Sequence, residues 1–313
     1  MKKHYNRNNS LKAKVLNKVQ EKEFKKLGSF FFIVSYFYGK MLMKGSEDMK
    51  QRVISAIVAI IIVVPIVLYG GIPFYLGASV LGLIGFYEML KARKIERDIP
   101  NIMKIVCMFA FIIIMMDNWG NKVLVFNSND KLILTILLTV IPIVFFNKKK
   151  SYDINDALFM LGTIMFLGIS FNHLVNIRVG SLYNFIYLVL ITTMTDTFAY
   201  FTGRLIGKHK MCPSVSPNKT WEGFVGGLVF GTIISVVFYV CAFDFTGSVF
   251  LLVLVSMLLS VVGQLGDLVF SSIKRHYKIK DYGNIMPGHG GVLDRLDSLL
   301  FVILVFTYLS KFI

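Results

Sequence analysis

Residues 248–270 read SVFLLVLVSMLLSVVGQLGDLVF, and their first charged residue is Asp267. A helix rises about 1.5 Å per residue and the hydrocarbon layer of a bilayer is about 30 Å thick, so about twenty mainly apolar residues are needed to cross it. This stretch meets that length. Similar runs occur at 53–69, 72–90, 102–116, 131–146, 157–177, 184–203, 223–243 and 296–312, making nine candidate spans, of which the third and fourth are short. Over the 313 residues, 55% are hydrophobic and only 17% charged, with mean hydropathy +0.66. A soluble domain carries about a quarter charged residues. The expected fold class is therefore all-α, a polytopic integral membrane protein.

The charges set the expected orientation. Net charge is +16, from 34 Lys and Arg against 18 Asp and Glu. The connections after the second, fourth, sixth and eighth candidates carry Lys91, Arg93, Lys94 and Arg97; Lys148, Lys149 and Lys150; Arg204, Lys208, Lys210 and Lys219; and Lys274, Arg275, Lys278, Lys280 and Arg295. The opposite connections hold little beyond Lys122, Lys131 and Arg178. Basic residues stay on the cytoplasmic side, which places the N-terminus inside and the C-terminus outside. An odd number of spans agrees. Basic loops on so apolar a chain suit anionic lipid and cytosol, and no soluble groove-reading element suggests nucleic acid. Cys107, Cys212 and Cys241 have neither metal-site nor disulfide spacing and read as apolar fillers.

Three regions are expected: a basic extension at 1–48, N-terminal transmembrane helices at 49–183, and a C-terminal transmembrane region at 184–313, where the residues suited to chemistry lie. The aromatic segment Gly28 to Met43 suits a tenth span or an interfacial anchor. A start at Met49, where Met-Lys-Gln-Arg leads into the first span, stands beside a start at Met1. Glu88, Trp119, Asn172 and His173 read as interfacial residues outside the site.

Chemistry concentrates between Gln264 and Ser298. A carboxylate such as Asp267 in an apolar run costs a few kcal/mol unless a partner or ion compensates it. Asp294 and Asp297, spaced i, i+3, project from one face of the last span. Asp267, Asp294 and Asp297 together would repel one another; a hard divalent cation removes that penalty, and oxygen ligands favour Mg²⁺ or Mn²⁺. The competing reading pairs these acids with Arg275 and Arg295. Between them lies Pro287-Gly288-His289-Gly290-Gly291, whose glycines let backbone N–H groups approach an anion. With Lys274, Arg275, Lys278, Lys280 and Arg295 nearby, the expected ligand is a polyphosphate. Upstream, Asp196 sits in an apolar span among Thr192, Thr193, Thr195 and Thr197, as a functional acid or a hydrogen-bonded packing group.

Ser271-x-x-Lys274-Arg275, Lys280-Asp281-x-Gly283 and Pro287-Gly288-His289-Gly290-Gly291-x-x-Asp294-Arg295-Leu296-Asp297 closely resemble the signature of the phosphatidate cytidylyltransferases, the CDP-diacylglycerol synthases. Met286 departs from the usual Leu, Ile or Phe and is a conservative change. Ser216-Pro217-Asn218-Lys219-Thr220-Trp221-Glu222-Gly223 resembles a second segment of that family. By local physics alone, Ser216 or Thr220 also suits an N-cap. The likeness is densest over 184–298, and residues 1–48 fall outside it.

The resemblance implies an enzyme of the inner (cytoplasmic) membrane, with its site facing the cytosol, that joins CTP to phosphatidic acid. Catalytic roles fall to Asp267, Asp294, Asp297, Lys274 and Arg275. Substrate binding falls to Lys219, Glu222, Asp196, Ser216, Lys280, His289, Gly290, Gly291 and Arg295. Mg²⁺ is the expected cofactor on Asp267, Asp294 and Asp297, with Mn²⁺ as an alternative; an additional monovalent cation and a homodimer are left open. The competing functions are another CTP-dependent lipid enzyme, acting on an isoprenoid ether lipid or as a lipid kinase, and a transporter with Asp196 and Asp267 along an ion path.

Overall fold

The structure, a computed structural model, describes residue 58 and residues 61–115, 128–146, 151–243, 245–285 and 290–313. The expectations for the N-terminal extension, Met49, Trp119, Lys148 to Lys150 and His289 lie outside the described residues. After a helical stretch at 61–69 come α1 (Gly71–Arg93), α2 (Asn101–Met115), α3 (Ser128–Val140), α4 (Pro142–Phe146), α5 (Ile154–Gly180) and α6 (Leu182–Ile206). A small β-hairpin follows, β1 (Lys210–Cys212) and β2 (Ser216–Thr220), and then α7 (Trp221–Ala242), α8 (Val249–His276) and α9 (Leu293–Leu309). Among the described residues, six helical segments are long and apolar enough to cross a membrane. The chain is a multi-pass membrane protein.

Several expected boundaries move for local reasons. The fourth candidate breaks at Ile141, before Pro142, because proline has no N–H to continue the helix. Helix α2, at 15 residues, reaches only about 22 Å, short of a full crossing. Helix α5 begins earlier than the apolar run, at Ile154, because Asp153 caps the amides of Asn155 and Asp156 while Asp156 reaches back to the Asp153 amide. Helix α9 starts at Leu293 and ends in a 3₁₀ turn, Ser310–Phe312. The hairpin is the one departure from an all-α fold among the described residues. It pairs Lys210 with Thr220 and Cys212 with Ser216, antiparallel.

Helix α5 lies at the centre, packed against α1, α2, α3, α6 and α9, while α8 packs on α6, α7 and α9. The core holds Phe86, Phe111, Met160, Leu167, Phe171, Tyr187 and Phe306, all buried. Helix α7 shows both requirements of a lipid-facing span. Val225, Val229, Ile233 and Val237 are exposed along one face, whereas Gly223, Gly227 and Gly231 press another face onto α6. A Cβ at Gly227 would stand 2.6 Å from the Thr195 carbonyl, so only glycine permits this approach. Close docking of α6 on α7, with α8 beside them, sets the mutual placement of Asp196, Lys219 and Asp267.

Candidate active site

The short loop from α6 to α7 is held at both ends. Thr220 caps α7, its Oγ1 accepting from the Gly223 amide at 3.1 Å, so of the two candidate caps Thr220 serves and Ser216 pairs within the hairpin. Lys219 thereby faces α8, where its Nζ meets Asp267 Oδ2 at 2.6 Å and the Gln264 carbonyl at 3.4 Å. Gln264 in turn donates to the Phe224 carbonyl of α7 at 3.2 Å. Ser271, one turn beyond Asp267, donates to Asp267 Oδ1 at 3.3 Å.

Asp196, Asp267 and Asp297 come from three helices and lie within electrostatic reach of one another, with Lys219 acting on Asp196 and Lys274 on Asp297. The threonines around Asp196 are occupied elsewhere. Thr192, Thr193 and Thr197 bond back to carbonyls of α6, and Thr195 meets Ser260 of α8 at 2.9 Å. Asp196 itself is exposed on the protein surface, and Asp267 and Asp297 are half-buried. Asp297 accepts from the Ser298 amide at 2.8 Å.

Asp294 makes a different set of bonds. Its Oδ1 accepts from Lys274 Nζ at 2.8 Å, and its Oδ2 accepts from the backbone amides of Tyr282 at 2.8 Å and Gly291 at 3.0 Å. Gly290, at φ +86°, turns the chain tightly above it. The Gly291 amide, expected to face a phosphate, is directed to this carboxylate. Burial and the charges of Asp294 and Asp297 push the Tyr282 phenol well above its ordinary value, so it stays protonated and donates to the Phe270 carbonyl at 3.1 Å.

The remaining expected residues are dispersed. Arg275 holds the Val215 and Ile279 carbonyls, which ties the end of α8 to the hairpin. Glu222 accepts from the backbone amide and ring nitrogen of His209, the latter at 2.6 Å, and so closes the base of the hairpin. Lys280 and Arg295 are exposed. Among the described residues, no group of three His, Cys, Asp or Glu side chains is drawn together as a metal-ligand set. Carboxylate oxygens are the donor type a hard divalent ion takes, and two of the expected ligands, Asp267 and Asp294, are here each paired with a lysine, Lys219 and Lys274.

Residues 50–313 match the family described as "Cytidylyltransferase family". The chain belongs to the cytidylyltransferase family. It is 40% identical over 259 residues to a protein named phosphatidate cytidylyltransferase from Staphylococcus haemolyticus, which spans 82% of this chain and 96% of that relative. Proteins of the same name from Staphylococcus saprophyticus and Staphylococcus aureus are 39% and 38% identical, each over 82% of this chain and 96% of the relative. In this cytidylyltransferase-family chain, the most informative residue that sequence reasoning missed is Glu88. It is 2% exposed and accepts from the Val292 and Leu293 amides, each at 2.9 Å. Its only sequence signal is an acid within an apolar helix.

Proposed function

We propose that the chain transfers a cytidylyl group from CTP to phosphatidic acid, releasing pyrophosphate and forming CDP-diacylglycerol. The observation that carries this reading is the Lys219–Asp267 pair, closed at 2.6 Å between the loop before α7 and α8, in a chain so similar to proteins of that name. A lipid phosphate oxygen attacks the α-phosphorus of CTP. A new P–O bond forms there, and the bond to the β-phosphate bridging oxygen breaks. The phosphate monoester is already anionic, so no protein nucleophile is required, and catalysis rests on positioning and charge neutralisation.

Lys219, Lys274, Arg275 and Arg295 supply positive charge to the phosphates, with Lys280, Ser216, His289, Gly290 and Gly291 along the nucleotide's approach. Lys219 would exchange its bond to Asp267 for a phosphate oxygen, which in turn makes that carboxylate available. Asp267, Asp294 and Asp297 are the candidate ligands of Mg²⁺ (or Mn²⁺), with Asp196 adjacent. The ion would offset charge on the leaving pyrophosphate. Asp294 can take that role only by releasing Lys274, which is then available to an anion. The excess of Lys and Arg in alternate connections supports a cytoplasmic site, N-terminus inside and C-terminus outside. A homodimer is compatible with the reading, which requires only one copy.

The test uses purified protein in lipid nanodiscs with phosphatidic acid, Mg²⁺ and CTP labelled at either the α- or the γ-phosphate. Label from the α-position in the lipid product is expected. Transfer of the γ-label instead would make the protein a lipid kinase and overturn the proposal.

A further inference from the structure

Helix α9 begins without a cap of its own: Val292 occupies the N-cap position and contributes no side-chain bond. Its first amides are orphan donors, and the helix dipole concentrates positive potential there. Glu88, more than two hundred residues earlier on α1, supplies what is missing. Its Oε1 accepts from Val292 N and its Oε2 from Leu293 N, both at 2.9 Å. The fit leaves no slack. A Cβ at Gly291 would stand 2.3 Å from Glu88 Oε1, and one at Gly283 would stand 2.5 Å from the same atom. One turn earlier on α1, Gly85 receives the fully buried Leu293, where an added Cβ would lie 3.0 Å from Leu293 Cδ2.

The clamped residues directly precede Asp294 and stand one turn before Asp297. A bidentate carboxylate fixes both the position of the helix start and its rotation about the axis. Rotation decides where Asp294 and Asp297 point. We infer that Glu88 is a positioning residue: it orients the site carboxylates of α9 by holding the Gly291–Leu293 turn against α1. The inference rests on the cytidylyl-transfer reading of that site, with Asp294 and Asp297 acting in the reaction. It extends the working unit into α1, well before the sequence signature begins.

Glu88→Gln keeps the shape but turns an amide N–H toward a backbone N–H, and Glu88→Asp is too short to reach both amides. Full-length wild type, both variants and Tyr75→Phe are compared in nanodiscs. Tyr75→Phe deletes a different buried hydrogen bond from α1, that to the Met115 carbonyl, and controls for general loosening. In Glu88→Gln, kcat is expected to fall by about 100-fold, the scale of an ångström's misplacement, while the KM for CTP stays within about twofold. Tyr75→Phe keeps kcat. Amide hydrogen exchange across residues 290–296 is expected to accelerate in both Glu88 variants and not in Tyr75→Phe.

Wild-type kcat in Glu88→Gln overturns the inference, as does a loss no greater than that of Tyr75→Phe. Should Glu88→Gln fail to fold, the kcat and exchange of Glu88→Asp decide by the same criteria. If the wild-type protein itself fails to turn over CTP with phosphatidic acid, the functional reading fails. The exchange measurement then decides the clamp alone: protection unchanged in the variants overturns it.

Discussion

Replacing Asp294 by Asn tests the site at its most heavily bonded side chain. Asp294, 6% exposed at its side chain, accepts from Lys274, whose side chain is 13% exposed, and from the Tyr282 and Gly291 amides. Asparagine has one acceptor oxygen for three donors, and its own N–H₂ would face an ammonium or an amide. Removing one partner of a buried pair costs about 3–5 kcal/mol, because the other charge is left without compensation. Lys274 retains some contact with solvent, so the lower end, about 3 kcal/mol, is expected. At about 2–4 °C per kcal/mol for a chain segment of this size, the apparent Tm falls by about 6–12 °C. The assay is thermal unfolding without nucleotide, for wild type, Asp294→Asn, Lys274→Met and the double variant. Removing the lysine as well eliminates the orphaned charge, so the double variant should be less damaged than the two single losses summed. Additivity within about 0.5 kcal/mol, or a wild-type Tm in Asp294→Asn, would refute the pairing.

Three further outcomes follow from the geometry. Lys219→Met is expected to lower kcat by about 100-fold or more, the usual scale for losing one preorganised charge-stabilising donor; near-wild-type turnover in the α-label assay would remove Lys219 from the site. Gly227→Ala gains about 1 kcal/mol of helix propensity, yet its methyl would lie 2.6 Å from the Thr195 carbonyl, and overpacking of this kind costs about 1–3 kcal/mol. A net lowering of Tm is expected, and a rise would show that α6 and α7 separate at little cost. Asp153, at the start of α5, is held below its ordinary value of 3.8, chiefly by the Asp156 amide and then by the Arg97 guanidinium. A depressed carboxyl contributes stability that is present above its unfolded value and lost as pH falls through the folded one. The Tm gap between wild type and Asp153→Asn should therefore be level above about pH 5 and close below about pH 4; a gap independent of pH would contradict the cap.

How legible the protein is from its sequence varies by level. Apolar runs of the right length locate the long helices, because the bilayer imposes a length and a polarity that no packing detail can evade. Charge clusters near Lys219, Asp267 and Asp294 also stand out, since ionisable groups beside apolar spans are costly unless they are used. Boundaries are less legible: Asp153 and Thr220 extend α5 and fix the start of α7 through hydrogen bonds that hydropathy does not register.

Sequence alone thus determined a multi-span helical membrane protein and where its charged residues cluster beside the spans, for both depend on local composition. Only tertiary structure decided how each carboxylate is bonded. Asp267 pairs with Lys219, since the glycine face of α7 docks on α6 and sets the connecting loop beside α8, while Asp294 bonds to Lys274 and the Gly291 amide. Only tertiary structure gave Glu88 its task, since a bond from α1 to the start of α9 spans a separation across which no sequence periodicity carries information.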